Sequence, residues 1–246
     1  MTDDALIQLL HDTADAVATA LGRVRNWGPS GLRAGQYAAD LEADAAALSV
    51  LERAGVGVLS EESGLQRADR PVLVIVDPLD GSTNASRGVP WFATALCAVD
   101  QDGPRAALVA HQPHGPRFTA LRGGGAFVDG ARIRPSGCTE IGEAILGLNG
   151  LPARHFGWAQ YRTFGAASLD LCAVASGVLD GYVDCADNAH GVWDYAAGVL
   201  VCREAGAVCE DAFGRELFVL EHSARRTPVA AASPALAASL LSARGA

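Results

Sequence analysis

The chemistry-bearing stretch of this chain is Asp77-Pro78-Leu79-Asp80-Gly81-Ser82-Thr83, which follows directly on the apolar run Val72–Val76. The run reads as a buried strand, Pro78 holds Asp77 extended, and Gly81-Ser82-Thr83 can open a short helix. Two carboxylates therefore meet the N–H groups of a helix start. Carboxylate oxygens suit hard divalent cations and a helix start suits a phosphate, so the pattern points to metal-assisted phosphate chemistry. General acid–base work on a neutral substrate fits it less well. Glu61 and Glu62 follow a second short apolar run, Val56–Leu59, and so stand at another strand end, where sites are commonly built. A third acidic group lies far along the chain: Asp180-Gly-Tyr-Val-Asp184, Asp187, and Trp193-Asp194-Tyr-Ala-Ala-Gly198. Asp194 heads an apolar helix. It either caps that helix or, together with Glu61, Asp77 and Asp80, ligates a metal.

The elements that must position these acids follow from periodicity. Leu6, Leu9, Leu10, Ala14, Val17 and Leu21 recur at helical spacing up to Gly22, and Leu41, Ala45, Leu48 and Leu51 mark a second helix over Asp40–Arg53. The Gly- and Arg-rich residues between them form a loop. After the central turn the pattern predicts an antiparallel meander over Ala93–Val99, Arg105–Ala110 and Arg117–Leu121, then a hairpin with its bend at Asp129-Gly130. Strands at Ala144–Leu148, Gly181–Cys185 and Val208 then alternate with helices at 166–177, 192–205 and 233–242, which argues for a mixed sheet. The polar stretch around Ser136–Glu143 divides the chain into halves of 1–140 and 141–246.

Composition limits what surrounds the acids. The 246 residues carry a net charge of −9 with few basic clusters, which argues against nucleic acid and anionic membranes as partners. No apolar run reaches the roughly 18 residues of a membrane span. The acidic start Met1-Thr-Asp-Asp is unlike a secretory signal, so a cytoplasmic location is expected. Six scattered cysteines without a Cys-x-x-Cys pair read as reduced core residues. His111 and His114 flank Pro113 in a turn rather than forming a metal pair, Trp193 is a core anchor, and His190 either touches substrate or stands behind the site. Neither a P-loop nor a dinucleotide fingerprint is present.

Glu61-Glu62-Ser63, Asp77-Pro-Leu-Asp80-Gly-Ser-Thr-Asn84 and Trp193-Asp194-Tyr-Ala-Ala-Gly198, in that order, resemble the three signature segments of the inositol monophosphatase family. Gly123–Gly130 resembles its Gly-x-Gly-Ala-Phe hairpin, and Gly165-Ala-Ala-Ser-Leu-Asp170 with Asp180-Gly-Tyr182 resembles its substrate-side helix and strand, so the likeness spans most of residues 5–235. The resemblance implies a layered αβαβα sandwich of α/β (α+β) class, Mg²⁺-dependent phosphatase activity, sensitivity to lithium and a homodimer. It implies one Mg²⁺ on Glu61, Asp77 and the Leu79 carbonyl, and a second on Asp77, Asp80 and Asp194. Ser82, where the family usually has threonine, would orient the attacking water with Glu61. The N–H groups of Gly81 and Ser82 would hold phosphate, and Ala166, Ala167 and Asp187 would face the substrate. Asp187 is otherwise a solvated loop acid.

One segment departs from the family pattern. Asp44 matches a metal-proximal aspartate and Arg33 stands near the usual lysine, but Ala38, Asp40 and Leu41 replace the residues between, so a third Mg²⁺ near Asp44 is left open. Asp40 either substitutes for the missing acid or caps the second helix. The default expectation is a phosphomonoesterase acting on a small polyol or sugar phosphate, inositol 1-phosphate first. Histidinol phosphate, fructose 1,6-bisphosphate and a 3′-phosphonucleotide are alternatives, as is a catalytically silent relative that binds metal and phosphate.

Overall fold

The computed structural model describes residues 1–245. The N-terminal periodicity becomes α1 (Asp3–Leu21), capped by Thr2, whose hydroxyl accepts the Ala5 N–H at 3.3 Å. A second helix, α2 (Ala38–Ala54), begins two residues earlier than its pattern suggests. Asp40 is its third residue and accepts the Tyr37 N–H at 2.8 Å, so it closes the first turn from inside rather than preceding it.

The chain then builds β1 (Gly57–Ser60), β2 (Gly64–Gln66), β3 (Leu73–Asp80), the short α3 (Ser82–Arg87), β4 (Ala93–Asp100), β5 (Gly103–His111), β6 (Arg117–Leu121), β7 (Gly125–Val128) and β8 (Ala131–Arg132). These strands form one sheet in the order β2-β1-β3-β4-β5-β6-β7-β8. β1 and β3 are parallel, and every other pairing is antiparallel, as the meander predicts. Asp129 and Gly130 both take positive φ, at 47° and 80°, which a tight hairpin of matching twist requires. In the second half, β9 (Ile145–Asn149), β10 (Gln160–Arg162), α4 (Ala167–Ala175), β11 (Gly181–Asp184), α5 (Val192–Ala205), β12 (Val208–Asp211), β13 (Pro228–Ala231) and α6 (Pro234–Gly245) follow. The mixed sheet runs β10-β9-β11-β13-β12, with β9 parallel to both β10 and β11.

Residue alternation builds the layers. On β3, Val74 and Val76 join α1 and α2 in one core, whereas Leu73 and Ile75 face α4 and α5 on the other side of the sheet. Tyr182 and Ala230 of the five-stranded sheet reach that same central core, and Val183, Val229 and Ala231 turn the other way onto α6. The result is α1/α2, large sheet, α4/α5, small sheet and α6, the five-layer α/β order that the family resemblance implies. Among the described residues no helix is long and apolar enough to cross a membrane, and all six cysteines are free.

The central strand departs from expectation. β3 continues past Val76 to Asp80 with all eight residues buried, and its register against β4 shifts between Asp77↔Ala95 and Asp80↔Ala93. Pro78 has no N–H to offer the ladder, so the strand bulges there, and the Thr94 hydroxyl donates to the freed Pro78 carbonyl at 3.0 Å. The acids at 77 and 80 are therefore presented by an irregular strand end, not by a turn after the strand.

Candidate active site

β1, β3 and α5 bring three distant carboxylates together: one oxygen each from Glu61, Asp77 and Asp194 lies within 4.8 Å of the others. Glu61 follows the C-terminal end of β1, and its N–H donates to the Val76 carbonyl at 3.1 Å, which ties it to the neighbouring strand just before Asp77. Asp77 accepts the Leu79 N–H at 3.0 Å across the bulge. Asp194 is the third residue of α5 and accepts the Gly191 N–H at 2.6 Å. It thus closes the first turn of its helix and joins the cluster, so the two readings open at its sequence position are compatible.

Asp80 stands beside them but is turned toward α4, where one oxygen receives the Ser168 N–H at 2.8 Å and the Ser168 hydroxyl as well. Gly81 makes this approach possible. Its φ is +81°, and a Cβ there would lie 3.0 Å from the Trp91 carbonyl and 3.1 Å from Ala166. Asn84 locks the same junction by donating to the Trp91 and Phe164 carbonyls at 2.8 and 2.7 Å.

The electrostatics of the cluster follow from burial and like charge. Desolvation raises Asp77 well above the ordinary carboxylate range, and Glu61, Asp80 and Asp194 add to it. Burial lifts Asp80 to about 7 against the opposing Ser168 bonds. Asp194 is raised by burial while His190, the Gly191 N–H and Arg225 oppose. Glu61 is pushed to about 9 by desolvation and then by Asp194. Its side chain is 33% exposed, so it is the least desolvated of the four and opens the cluster to solvent. Four acids held so close resist ionising together, and hard oxygen donors around one point are what a divalent cation neutralises. The residues present fit such an ion.

Asp44, the expected neighbour of a third ion, is outside this cluster. Its carboxylate accepts the Ser60 hydroxyl at 2.5 Å and holds the end of β1 instead. Asp40, one turn earlier, is the acid of α2 that faces Ser82: one oxygen caps Tyr37, and the other is buried without a hydrogen-bond partner. Burial raises it to about 6, with Glu62 adding and the Ser82 hydroxyl and Arg33 opposing. Glu62 itself is taken up by Arg33 at 2.9 Å and by Gln36.

On the substrate side a cleft of about 100 Å³ is lined by Asp80, Ala166, Ala167, Asp170, His190 and Asp194, among others. Asp187 is not there. It pairs with Arg244 at 2.5 Å on a separate surface beside Phe213 and Cys185. Behind His190, outside the cleft lining, stands Asp184, wholly buried and bonded to that imidazole at 2.7 Å. His222, which the sequence pattern did not single out, donates from Nε2 to the Glu61 carbonyl at 3.0 Å and packs on Trp193, ring centroids 4.6 Å apart. Trp193 is 5% exposed, the anchor its position suggests. Asp184 and His190 sit six residues apart across an irregular segment, a spacing that no simple periodicity marks.

The sequence profile described as "Inositol monophosphatase family" matches residues 33–245. An inositol-1-monophosphatase from Mesorhizobium japonicum is 32% identical over 234 residues, 86% of this chain and 85% of its own. A fructose-1,6-bisphosphatase from Pyrococcus furiosus is 35% identical over 189 residues, covering 75% of this chain and 73% of its own. The crystal structure of extragenic suppressor protein suhB from Bartonella henselae superposes with a TM-score of 0.83 at 29% identity over 98% of both chains. With the acidic cluster, the bulged central strand and these likenesses together, the chain belongs to the inositol monophosphatase family of phosphatases.

Proposed function

We propose that this chain is a Mg²⁺-dependent phosphomonoesterase acting on a small polyol or sugar phosphate, with inositol 1-phosphate as the default substrate. The observation that carries the reading is the convergence of Glu61, Asp77 and Asp194, the last of which also lines a small cleft. In this reading Glu61, Asp77 and the Leu79 carbonyl would hold one ion, and Asp77, Asp80 and Asp194 a second. When bound, the ions supply Lewis acidity toward phosphate oxygens and lower the pKa of water at the site. The protein's own part is positioning. The N–H groups at Gly81 and Ser82 steady the phosphate, and the Ser82 hydroxyl aims the attacking water with help from Glu61.

The cleft favours a compact alcohol. Its volume of about 100 Å³ is below the roughly 300 Å³ at which pockets begin to enclose drug-sized ligands. A 3′-phosphonucleotide would leave its base outside. Intact Glu61, Asp77, Asp80, Ser82 and Asp194 speak against a silent relative. Lithium inhibition and a cytoplasmic homodimer belong to the same proposal, and turnover unchanged in millimolar Li⁺ would count against it. The deciding experiment is phosphate release with Mg²⁺ from inositol 1-phosphate, histidinol phosphate, fructose 1,6-bisphosphate and a 3′-phosphonucleotide, with Asp194→Asn as control. Release from the first and not from the control supports the proposal; release from none sinks it.

A further inference from the structure

Glu61 and Asp194 reach the acidic cluster from opposite halves of the chain, and one loop touches the supports of both. That loop is the segment between β12 and β13, which carries His222. The His222 Nε2 stands 3.0 Å from the backbone carbonyl of Glu61, 161 residues away in sequence. A carbonyl oxygen can only accept, so Nε2 carries the proton and donates it. Glu61 gives its own N–H to the Val76 carbonyl at 3.1 Å. One backbone group of Glu61 is thus held by β3 and the other by His222.

The imidazole also rests on Trp193, the neighbour of Asp194, with ring centroids 4.6 Å apart and planes inclined at 34°. The guanidinium carbon of Arg225 is 5.1 Å from the centre of the same indole. That indole lies back over the N-terminal end of α5, for a Cβ on Gly191 would fall 2.4 Å from its Cε2 and Cζ2. Gly191 in turn gives its N–H to Asp194 Oδ2 at 2.6 Å. A continuous line of contacts therefore runs from the Glu61 carbonyl through His222, Trp193 and Gly191 to the Asp194 carboxylate. The loop itself is braced: Arg225 donates to the His222 carbonyl at 2.8 Å, Arg226 Nε to the Glu216 carbonyl at 2.6 Å, and the Arg226 N–H to the His190 carbonyl at 2.9 Å.

We propose that His222 is a positioning residue for the metal site, holding the Glu61 backbone against the start of α5 so that the Glu61 and Asp194 carboxylates already meet before a cation arrives. The inference rests on the metal-dependent reading of the cluster and adds to it a residue that supplies no ligand atom. Carboxylates gathered within 4.8 Å repel one another in metal-free protein. Asp77 lies inside β3 and Asp194 inside α5, whereas Glu61 follows the last residue of β1, so regular structure restrains it least. A donor on its carbonyl opposes its retreat. With Nε2 committed to that carbonyl, the imidazole acts from behind the ligands, as partners of metal-binding groups commonly do.

The test is a calorimetric titration of Mg²⁺ into substrate-free wild type, His222→Phe and His222→Gln. The Phe variant keeps a ring for Trp193 but no donor, and the Gln variant keeps an N–H at similar reach. Losing a group that orients a metal ligand typically costs about 10–100-fold, so His222→Phe should bind Mg²⁺ at least about tenfold more weakly, and His222→Gln should recover most of that loss. In assays with inositol 1-phosphate, the Mg²⁺ concentration giving half-maximal rate should rise by the same factor in His222→Phe, with kcat at saturating Mg²⁺ and KM for the ester little changed. His222→Ala, which adds no volume, takes the place of His222→Phe if that variant does not melt cooperatively. A role in packing alone would lower the melting temperature in EDTA and leave Mg²⁺ affinity equal in wild type and variants, and that result overturns this inference alone. A wild type that releases no phosphate from any ester, yet loses Mg²⁺ affinity in His222→Phe, overturns the phosphomonoesterase reading and upholds this inference. A wild type that binds no Mg²⁺ overturns both.

Discussion

Ser168 aims both its backbone N–H and its hydroxyl at one oxygen of Asp80, 88 residues away in sequence. Asp80 needs that help, because it is buried among other acids and its ionised form is otherwise disfavoured. Ser168→Ala should keep the backbone bond and lose the hydroxyl. A hydrogen bond to a charged group is worth roughly 1.5–3 kcal/mol, so kcat/KM should fall about tenfold or more, together with apparent Mg²⁺ affinity. Steady-state rates across a Mg²⁺ titration check this, and an unchanged Mg²⁺ dependence would show that Asp80 is oriented by its strand alone.

Asp194→Asn separates the two duties of that residue. The amide oxygen can still accept the Gly191 N–H and close the first turn of α5, while the charge facing Glu61 and Asp77 is gone. The variant should fold with a melting temperature, measured without divalent ions, equal to or above that of wild type. Phosphate release should drop by at least about a hundredfold, and calorimetric Mn²⁺ or Mg²⁺ binding should weaken with it. A variant that melts well below wild type without metal would mean that the carboxylate's main duty is structural.

How much of this was legible from the residues depends on distance along the chain. The acids at 61, 77, 80 and 194 stand out because oxygen ligands have few chemical substitutes and each follows or heads an apolar element. The elements were legible too, since the continuous apolar run of β3 and the helical period in α1 follow from burial in a sheet or on a helix stripe, whereas the layer order came from the family resemblance: β3 is buried on both faces and shows no alternation that would assign its sides. The choice between Asp40 and Asp44 was not. They lie four residues apart on one face of α2, and only the positions of Ser82 and Ser60 in space decide which acid meets the site. Asp184 and Asp187 pose the same difficulty, for the left-handed turn at Asn188 and the pull of Arg244 carry Asp187 away from the cleft. β10 and β13 escaped notice because each is three or four residues long, too short to express a period.

Ser82→Ala tests the water-aiming role. The residue sits at the start of the six-residue α3 and is only partly buried, so its loss should leave the melting temperature unmoved. Losing a group that orients the nucleophile typically costs a factor of about 10²–10⁴. The expected result is a fall of about a hundredfold in kcat with KM little changed, and Ser82→Thr should retain most of the activity. A KM effect without a kcat effect would move Ser82 from aiming water to holding phosphate.

Metal-free protein should lose stability as pH rises. Glu61 is raised from 4.5 to about 9 and Asp80 from 3.8 to about 7 in the folded chain, while Asp77 and Asp194 shift the same way. The folded state therefore binds these protons more tightly than the unfolded chain does. Their stabilising contribution is complete below the unfolded values and is lost as pH climbs through the folded ones. Melting temperatures in EDTA should decline between about pH 5 and pH 9. Saturating Mg²⁺ should flatten that decline by supplying positive charge to the same oxygens. A flat profile in EDTA would contradict the assigned repulsion among the four acids.

Gly81→Ala probes the junction on which the whole site turns. The left-handed backbone at φ +81° disfavours any Cβ by about 1–2 kcal/mol. A Cβ here also meets the Trp91 carbonyl at 3.0 Å and Ala166 at 3.1 Å, on both sides of the cleft. Gly64→Ala is the matched control, with φ +74° and nothing within 4 Å of its added Cβ. Both variants bear the backbone cost, so a melting temperature lower by about 2–8 °C is expected for Gly64→Ala in a chain of this size. Gly81→Ala should fall further and also lose activity, because its extra carbon pushes α3 away from the start of α4 and disturbs the Asp80–Ser168 contact. Equal losses in both variants would show that only the backbone angle matters at 81, and that the close approach of Ala166 is not what sets the width of the site.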